Sequence, residues 1–428
     1  MNMFNKYYYA IAVLGLMQAC LNAHDTNIRL IQKSALKETL MQRPLPLRRP
    51  RAGVYEVPSR GVTPLGKKVM KILIVVKFFP KLSETFVMNQ VTGLLDLGHD
   101  VYVYAEKRES TDKVHDNVLK YNLLSRTYYG ELPPNLDTFD VAVCQFGPRG
   151  IKFLDIKRKY KLRTKVVTFF RGGDISTYVH NNPGGYTQLF AEGDHFLTNC
   201  NFFKKRLLKL GSPIDRTHIY YSSIDCSIFP YKTRKTSTDG IFHLVTTGRL
   251  VEKKGIENAL VALKKVIEVN PKVDYTIIGS GELKQKLIAL AKELGVWNHV
   301  KFVGWKTQNE IAQIMKKCHL FLLPSKQAKN MNEDAIPNTL KEAWACGLPA
   351  ICTNHGGIPE VLVDGINGFI VKENSPEMIA DRILFLMKRP DLWNVLGKNG
   401  RMCVEKKFEL ERQSVKLESI LYNVIARG

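Results

Sequence analysis

Two carboxylates, Asp334 and Glu342, stand eight residues apart in the stretch DAIPNTLKE, in a chain carrying 63 Lys and Arg against 40 Asp and Glu. A helix packed only for stability needs neither acid there. A short helix is expected to begin near Asn338, whose side chain is a good N-cap, and to bury Leu340, Ala343 and Trp344. Gly347 followed by Pro349 ends it. Glu342 then lies off the apolar stripe within the first turns, and Asp334 lies in the preceding loop. Carboxylates at one helix N-terminus can accept hydrogen bonds from the hydroxyls of a sugar and a ribose. Backbone groups of Ala335, Ile336, Pro337, Asn338 and Thr339 can complete such a cradle. Glu333, immediately upstream, reads as a bystander.

A second cluster suits phosphate. GRLVEKKG (248–255) follows a β-branched run, and Arg249 and Lys254 bracket the loop before an amphipathic segment beginning at Ile256. Two cations beside a helix N-terminus attract an anion. GSGEL (279–283) is a second glycine-rich strand exit. Metal chemistry finds little support. The ten histidines form no HExxH or HxxxH pair, the eight cysteines form no CxxC pair, and no D-x-D triplet occurs. Cysteines in apolar runs such as VAVCQF read as reduced thiols.

The formal net charge of +23 fits nucleic acid, an anionic membrane surface or a polyanionic substrate. Nucleic acid is disfavoured, because no aromatic-basic motif accompanies the charge. The basic run FFKKRLLKLG (202–211) suits an anionic membrane surface or a solvated helix face.

The elements that position these residues alternate strand and helix from Met70 onward. Strands are expected at 71–76, 100–105, 140–146, 165–170, 195–200 and 218–222. A second set is expected at 242–248, 274–281, 300–304, 319–325, 349–353 and 368–371. Ile256, Ala259, Leu260, Leu263, Val266 and Ile267 repeat with helical period. The class is α/β with parallel sheets. Twelve strands exceed one ordinary doubly wound sheet, so the chain divides into domains at 70–235 and 236–405, joined by the polar stretch PYKTRKTSTDG (230–240). Two such domains facing each other place their carboxyl-end loops around a shared cleft.

Residues 1–69 stand apart, with an excess of about eight positive charges and a Pro/Arg-rich run that cannot build a core. Tyr7 to Ala23 carries no charge and reads as a signal-peptide core or a short anchor, with a lipoprotein-like variant ending at Cys20. Alternatively the whole segment is an upstream extension and Met70 the start. The basic residues after the apolar run favour a cytoplasmic body, peripheral on the inner face of the membrane.

Taken together, 70–428 resembles the family-4 glycosyltransferases, retaining enzymes of the GT-B fold. DAIPNTLKEAWACGLPAICTNHGGIPEVLVDGINGFIV (334–371) is similar to that family's E-x7-E block. GRLVEKKG resembles its diphosphate loop, and YYSSIDCSIF (220–229) the block closing its first domain. FFPKLSETFVMNQ (78–90) and FRGGDIS (170–176) look like the exopolysaccharide subgroup of colanic-acid type. The tail from 406 to 428 looks like the last helix, which in this fold returns to the first domain.

The resemblance implies a nucleotide-sugar donor, UDP- or GDP-linked, a glycan or lipid-linked acceptor, and no metal or other cofactor. It implies that Arg249 and Lys254 hold the donor diphosphate, that Glu342 binds the ribose and that Asp334 contacts the donor sugar. Residues 335–339 would cradle sugar and phosphate, and the loop following Gly304 would meet the base. Asp334 stands where the family usually has Glu, one methylene longer. Arg171 stands where many members have His and would orient or stabilise charge, since a guanidinium is no base. Pro80 to Ser83 replace the usual Gly-Gly pair, with Ser83 placed to cap the next helix. A non-catalytic nucleotide-sugar binder and a sugar-nucleotide 2-epimerase remain alternatives.

Overall fold

The computed structural model describes residues 66–109 and 115–427. The anchor reading of Tyr7–Ala23, the lipoprotein-like reading at Cys20 and almost all of the 1–69 segment lie outside these residues. Among the described residues, no helix is long and apolar enough to cross a membrane.

Two parallel sheets carry the architecture. The first contains β1 (Lys71–Phe79), β2 (Asp100–Arg108), β3 (Thr127–Tyr129), β4 (Val141–Gln145), β5 (Lys165–Phe170), β6 (His195–Thr198) and β7 (Thr217–Ile219). Their order is β3-β2-β1-β4-β5-β6-β7. The second contains β8 (Phe242–Thr247), β9 (Val273–Ile278), β10 (Val300–Gly304), β11 (Leu320–Leu323), β12 (Ala350–Thr353) and β13 (Phe369–Val371), ordered β10-β9-β8-β11-β12-β13. In both, the order reverses beside the first strand of the sheet, the switch point where such folds open a crevice at the strand carboxyl ends. Ile72 to Val76 are buried without alternation because helices cover both faces. The twelve expected strands are present; β3 was not expected, since three residues at a sheet edge are too few to show a period.

The helices that matter for the site are α1 (Thr85–Asp96), α2 (Gly147–Tyr160), α3 (Asn201–Lys209), α4 (Ile256–Val269), α5 (Asn338–Ala345), α6 (Pro390–Lys407) and α7 (Leu410–Ala426). Two caps differ from expectation. Helix α1 begins after Glu84 with no side-chain cap, so Ser83 does not cap it. Asn338 is the first helical residue of α5 and not its cap, because Pro337 precedes it in extended conformation. A proline is compatible there, since the capping residue's N–H is not needed by the helix.

Helix α7 returns to the first sheet, burying Leu417, Leu421 and Val424 among β1 and α1 side chains. Each such side chain contributes roughly 1.5–3 kcal/mol. Glu418 fixes the register, accepting from Lys67 Nζ at 2.6 Å and from His99 Nε2 at 3.1 Å. The chain crosses between the sheets twice at one place, where Ile224 N donates to Phe408 O (2.8 Å) and Leu410 N to Ile224 O (3.1 Å). The stretch 230–240, polar in sequence, is fastened. Buried Arg234 donates to the carbonyls of Met315 and Cys318, both at 2.9 Å, and to those of Gly347 and Cys346.

Candidate functional site

Three loops leaving the carboxyl ends of β8, β11 and β12 meet around Asp334. The first runs through a 3₁₀ turn, Glu252–Lys254, closed by Gly255 at φ +57, where an added Cβ would strike the Pro324 carbonyl. That turn aims two lysines at one carboxylate. Lys254 Nζ lies 2.7 Å from Asp334 Oδ2 and Lys253 Nζ lies 3.0 Å from Oδ1. From the second loop, Ser325 Oγ donates to Oδ2 at 2.9 Å. From the third, His355 Nε2 accepts the Asp334 backbone N–H at 3.0 Å, while Nδ1 stands 2.7 Å from Glu373 Oε1. This pattern assigns the proton to Nδ1. Gly356 follows at φ +54, with its backbone so close to the Asp334 carbonyl that no side chain fits.

The electrostatics follow from burial and charge. Burial alone would raise the Asp334 carboxyl, but Lys253 and Lys254 outweigh it and hold the group far below the ordinary carboxylate range. Burial lowers Lys254, opposed by Asp334 and reinforced by Lys253 and Arg249. Arg249 itself is exposed, and its side chain has no hydrogen-bond or ion-pair partner among the described residues. Helix α5 starts beside this cluster with no capping side chain, so its first-turn N–H groups remain open.

Glu342 lies two turns' start away on α5, 5 % exposed, and burial raises it to about 7. Its carboxylate faces the side chain of Gln308, first residue of the helix Gln308–Met315 that follows the loop after Gly304. That loop and helix start line a cleft of about 230 Å³ with Trp305 and Asn309, opposite His115, Asp116 and Asp225 of the first sheet's domain. Asn309 Nδ2 donates to Asp116 Oδ2 across it at 3.2 Å.

The residues expected at the site are thus brought together unevenly. Asp334 and Lys254 touch, Arg249 acts on Lys254 through its charge, residues 335–339 adjoin Asp334 and Glu342 occupies the far end. Arg171 is held elsewhere: its guanidinium centre stands 4.2 Å from the Phe86 ring and 4.4 Å from the Phe169 ring. It also donates to Gln145 Oε1 (3.2 Å) and Ser222 Oγ (2.9 Å). Its reach into the site is through Gly172 and Gly173, which lie against the Asn332–Glu333 backbone and side chain. Asp174 shapes that turn by accepting from the N–H groups of Arg171, Gly172 and Gly147.

Glu333 is not a bystander. It is buried, with its carboxylate 2.5 Å from Arg206 of α3. The same helix is capped across the cleft by Glu360, which accepts from Asn201 N (2.7 Å) and Phe202 N (2.6 Å). Neither pairing has a sequence signal, since the partners lie over a hundred residues apart. Lys253, Ser325 and His355 were also not expected; the doubled lysine of EKKG was the one available hint. Next to Glu342, Lys341 is 1 % exposed and donates to Ser222 O at 2.5 Å, and burial pushes it down to about 7.

The chain is similar to known proteins in sequence and in fold. Residues 231–402 match the family described as glycosyl transferases group 1. The WcaL protein of Escherichia coli (strain K12), named as a colanic acid biosynthesis glycosyltransferase, is 27% identical over 404 residues, 82% of this chain and 99% of its own. The amylovoran biosynthesis glycosyltransferase AmsK of Erwinia amylovora is 28% identical over 369 residues, 74% of this chain and 90% of its own. Among solved structures, Anabaena Alr3699/HepE in complex with UDP shares the fold with a TM-score of 0.68 at 16% identity, covering 83% of this chain and all of that one.

Proposed function

We propose, from the match of residues 231–402 to the group 1 glycosyl transferases, that the protein moves a sugar from a UDP- or GDP-linked donor to a glycan or lipid-linked acceptor in exopolysaccharide synthesis. The observation that carries the donor reading is the pairing of Lys253 and Lys254 with the single carboxylate of Asp334, with the charge of Arg249 acting on Lys254, beside the open N-terminus of α5. Nothing in a stable core calls for that excess of positive charge.

The reaction breaks the bond between the anomeric carbon and the diphosphate through an oxocarbenium-like state. Negative charge grows on the leaving phosphate, and preorganised cations and N–H groups aimed there lower the barrier. Arg249 and the free N–H groups of Lys254 supply that charge in place of a metal ion. Glu342 and Gln308 take the ribose and base end. The acceptor hydroxyl attacks from the face the diphosphate leaves, passing its proton to the departing phosphate, so configuration is retained. A cytoplasmic site is where such donors are made. Exposed Lys205 and Lys209 on α3 remain available for an anionic membrane, whereas Arg206 is spent on Glu333.

The test is donor turnover. A panel of UDP- and GDP-sugars, followed by release of the nucleoside diphosphate, is expected to give one productive donor, with activity lost in Asp334→Ala. Binding without any turnover would leave the protein a nucleotide-sugar binder and overturn the transferase reading.

A further inference from the structure

Lys253 and Lys254 face the same carboxylate but differ in what they have left to give. An ammonium has three N–H donors. Lys253 Nζ meets three acceptors: Asp334 Oδ1 at 3.0 Å, Asn332 Oδ1 at 3.2 Å and Glu333 O at 3.1 Å. It has nothing left for a ligand. Among the described residues Lys254 Nζ donates only to Asp334 Oδ2, at 2.7 Å, so two of its N–H groups stay open. Arg249 is uncommitted. Other carboxylates do not disturb this balance: Glu333 is paired with Arg206, Glu252 accepts from Lys329 N and Glu373 serves His355.

We infer that Lys253 is a positioning residue for the donor diphosphate. It holds the Asn332–Asp334 loop by three bonds and cancels the carboxylate's charge, which leaves the charges of Lys254 and Arg249 for the ligand. Without Lys253, Asp334 pairs one-to-one with Lys254 and neutralises the cation that has N–H groups to offer. With it, two ammonium groups share one carboxylate and Arg249 adds a third positive charge beside Lys254, and the surplus matches the doubly negative diphosphate of a nucleotide sugar. The doubled lysine and the shortened acid then belong together, because the shorter Asp334 sits where both ammonium groups reach it at once. This rests on the donor reading above and assigns the residue within it.

The experiment compares wild type with Lys253→Met by calorimetry, titrating UDP and GDP and, separately, uridine and guanosine. The expected result is about tenfold weaker diphosphate binding, 1.4 kcal/mol, with nucleoside binding unchanged. A second variant, Lys253→Met with Asp334→Asn, removes both partners and restores the surplus charge; diphosphate affinity is expected to return to within a few-fold of wild type. The double variant also leaves no buried carboxylate short of a partner, so it reads the proposal even if the single variant does not fold. Undiminished diphosphate binding in Lys253→Met overturns the inference. So does an equal loss for nucleoside and diphosphate, which marks a purely structural role, or a double variant as weak as the single. Wild type that binds neither diphosphate overturns the donor reading and this inference with it, whereas the variant outcomes bear on Lys253 alone.

Discussion

Replacing Glu342 by glutamine is expected to stabilise the free protein and weaken its grip on nucleotide. Burial raises the Glu342 carboxyl to about 7 from an ordinary 4.5. At 1.36 kcal/mol per pKa unit, keeping it ionised in the folded protein costs about 3 kcal/mol. The sign follows from which state holds the proton. Below the unfolded value the carboxyl is protonated in both states and costs nothing. As pH rises from there through about 7, the unfolded chain ionises first and the native state loses that stability, all of it above about 7. Lys341, pushed down to about 7 from 10.5, acts in the next window up, where rising pH regains stability, so the wild-type profile passes through a minimum near pH 7 and the difference between variant and wild type isolates Glu342. At roughly 2–4 °C per kcal/mol for a domain of this size, Glu342→Gln is expected to raise Tm by about 6–12 °C at pH 8, with the gain shrinking towards pH 5.5. Calorimetric titration supplies the other half. Wild-type affinity for the nucleoside diphosphate rises with pH through about 7, as the carboxylate forms, and the variant shows a flat profile. A Tm difference independent of pH, or a variant that keeps the wild-type pH slope, would refute the reasoning.

Other perturbations have equally definite outcomes. Asp334→Ala leaves two buried ammonium groups without their carboxylate and is expected to cost about 3–5 kcal/mol; thermal melts are expected to show a larger nucleotide-induced rise than in wild type, since the added anion replaces the missing charge. Glu360→Gln weakens two charge-assisted bonds to the start of α3, and small-angle scattering is expected to show the two sheets' domains further apart, with KM raised more than kcat is lowered. Gly356→Ala forces a Cβ into the Asp334 carbonyl from a left-handed backbone, so nucleotide binding is expected to be lost while the far-UV spectrum is kept.

The sequence disclosed this fold where local pattern and global structure agree. Runs such as KILIVV and FHLVTT are buried on both faces, so they read as unbroken apolar segments; the stripe from Ile256 to Ile267 repeats with the period of the helix it forms. The candidate site was legible where a feature is local, as with Asp334, Glu342 and the GRLVEKKG loop. It was illegible where a partner comes from across the cleft. Glu333 looked idle because Arg206 is distant in sequence, and Arg234 looked like solvated linker because the carbonyls it satisfies come from two distant segments, 315–318 and 346–347. Capping failed for a local reason: Ser83 and Asn338 are good caps in isolation, but Glu84 and Pro337 occupy those positions in the folded chain.

The central claim is that Arg249 and Lys254, with Lys253 neutralising Asp334 beside them, bind a nucleoside diphosphate without help from a metal. Calorimetric titration of UDP and GDP into wild type and Arg249→Met, with EDTA present throughout, tests it most directly. The account predicts that wild type binds one of the two in EDTA, and that Arg249→Met, whose side chain no protein group holds, binds at least about tenfold more weakly at unchanged Tm. Binding that appears only when a divalent cation replaces the EDTA, or an Arg249→Met affinity equal to wild type, would contradict it.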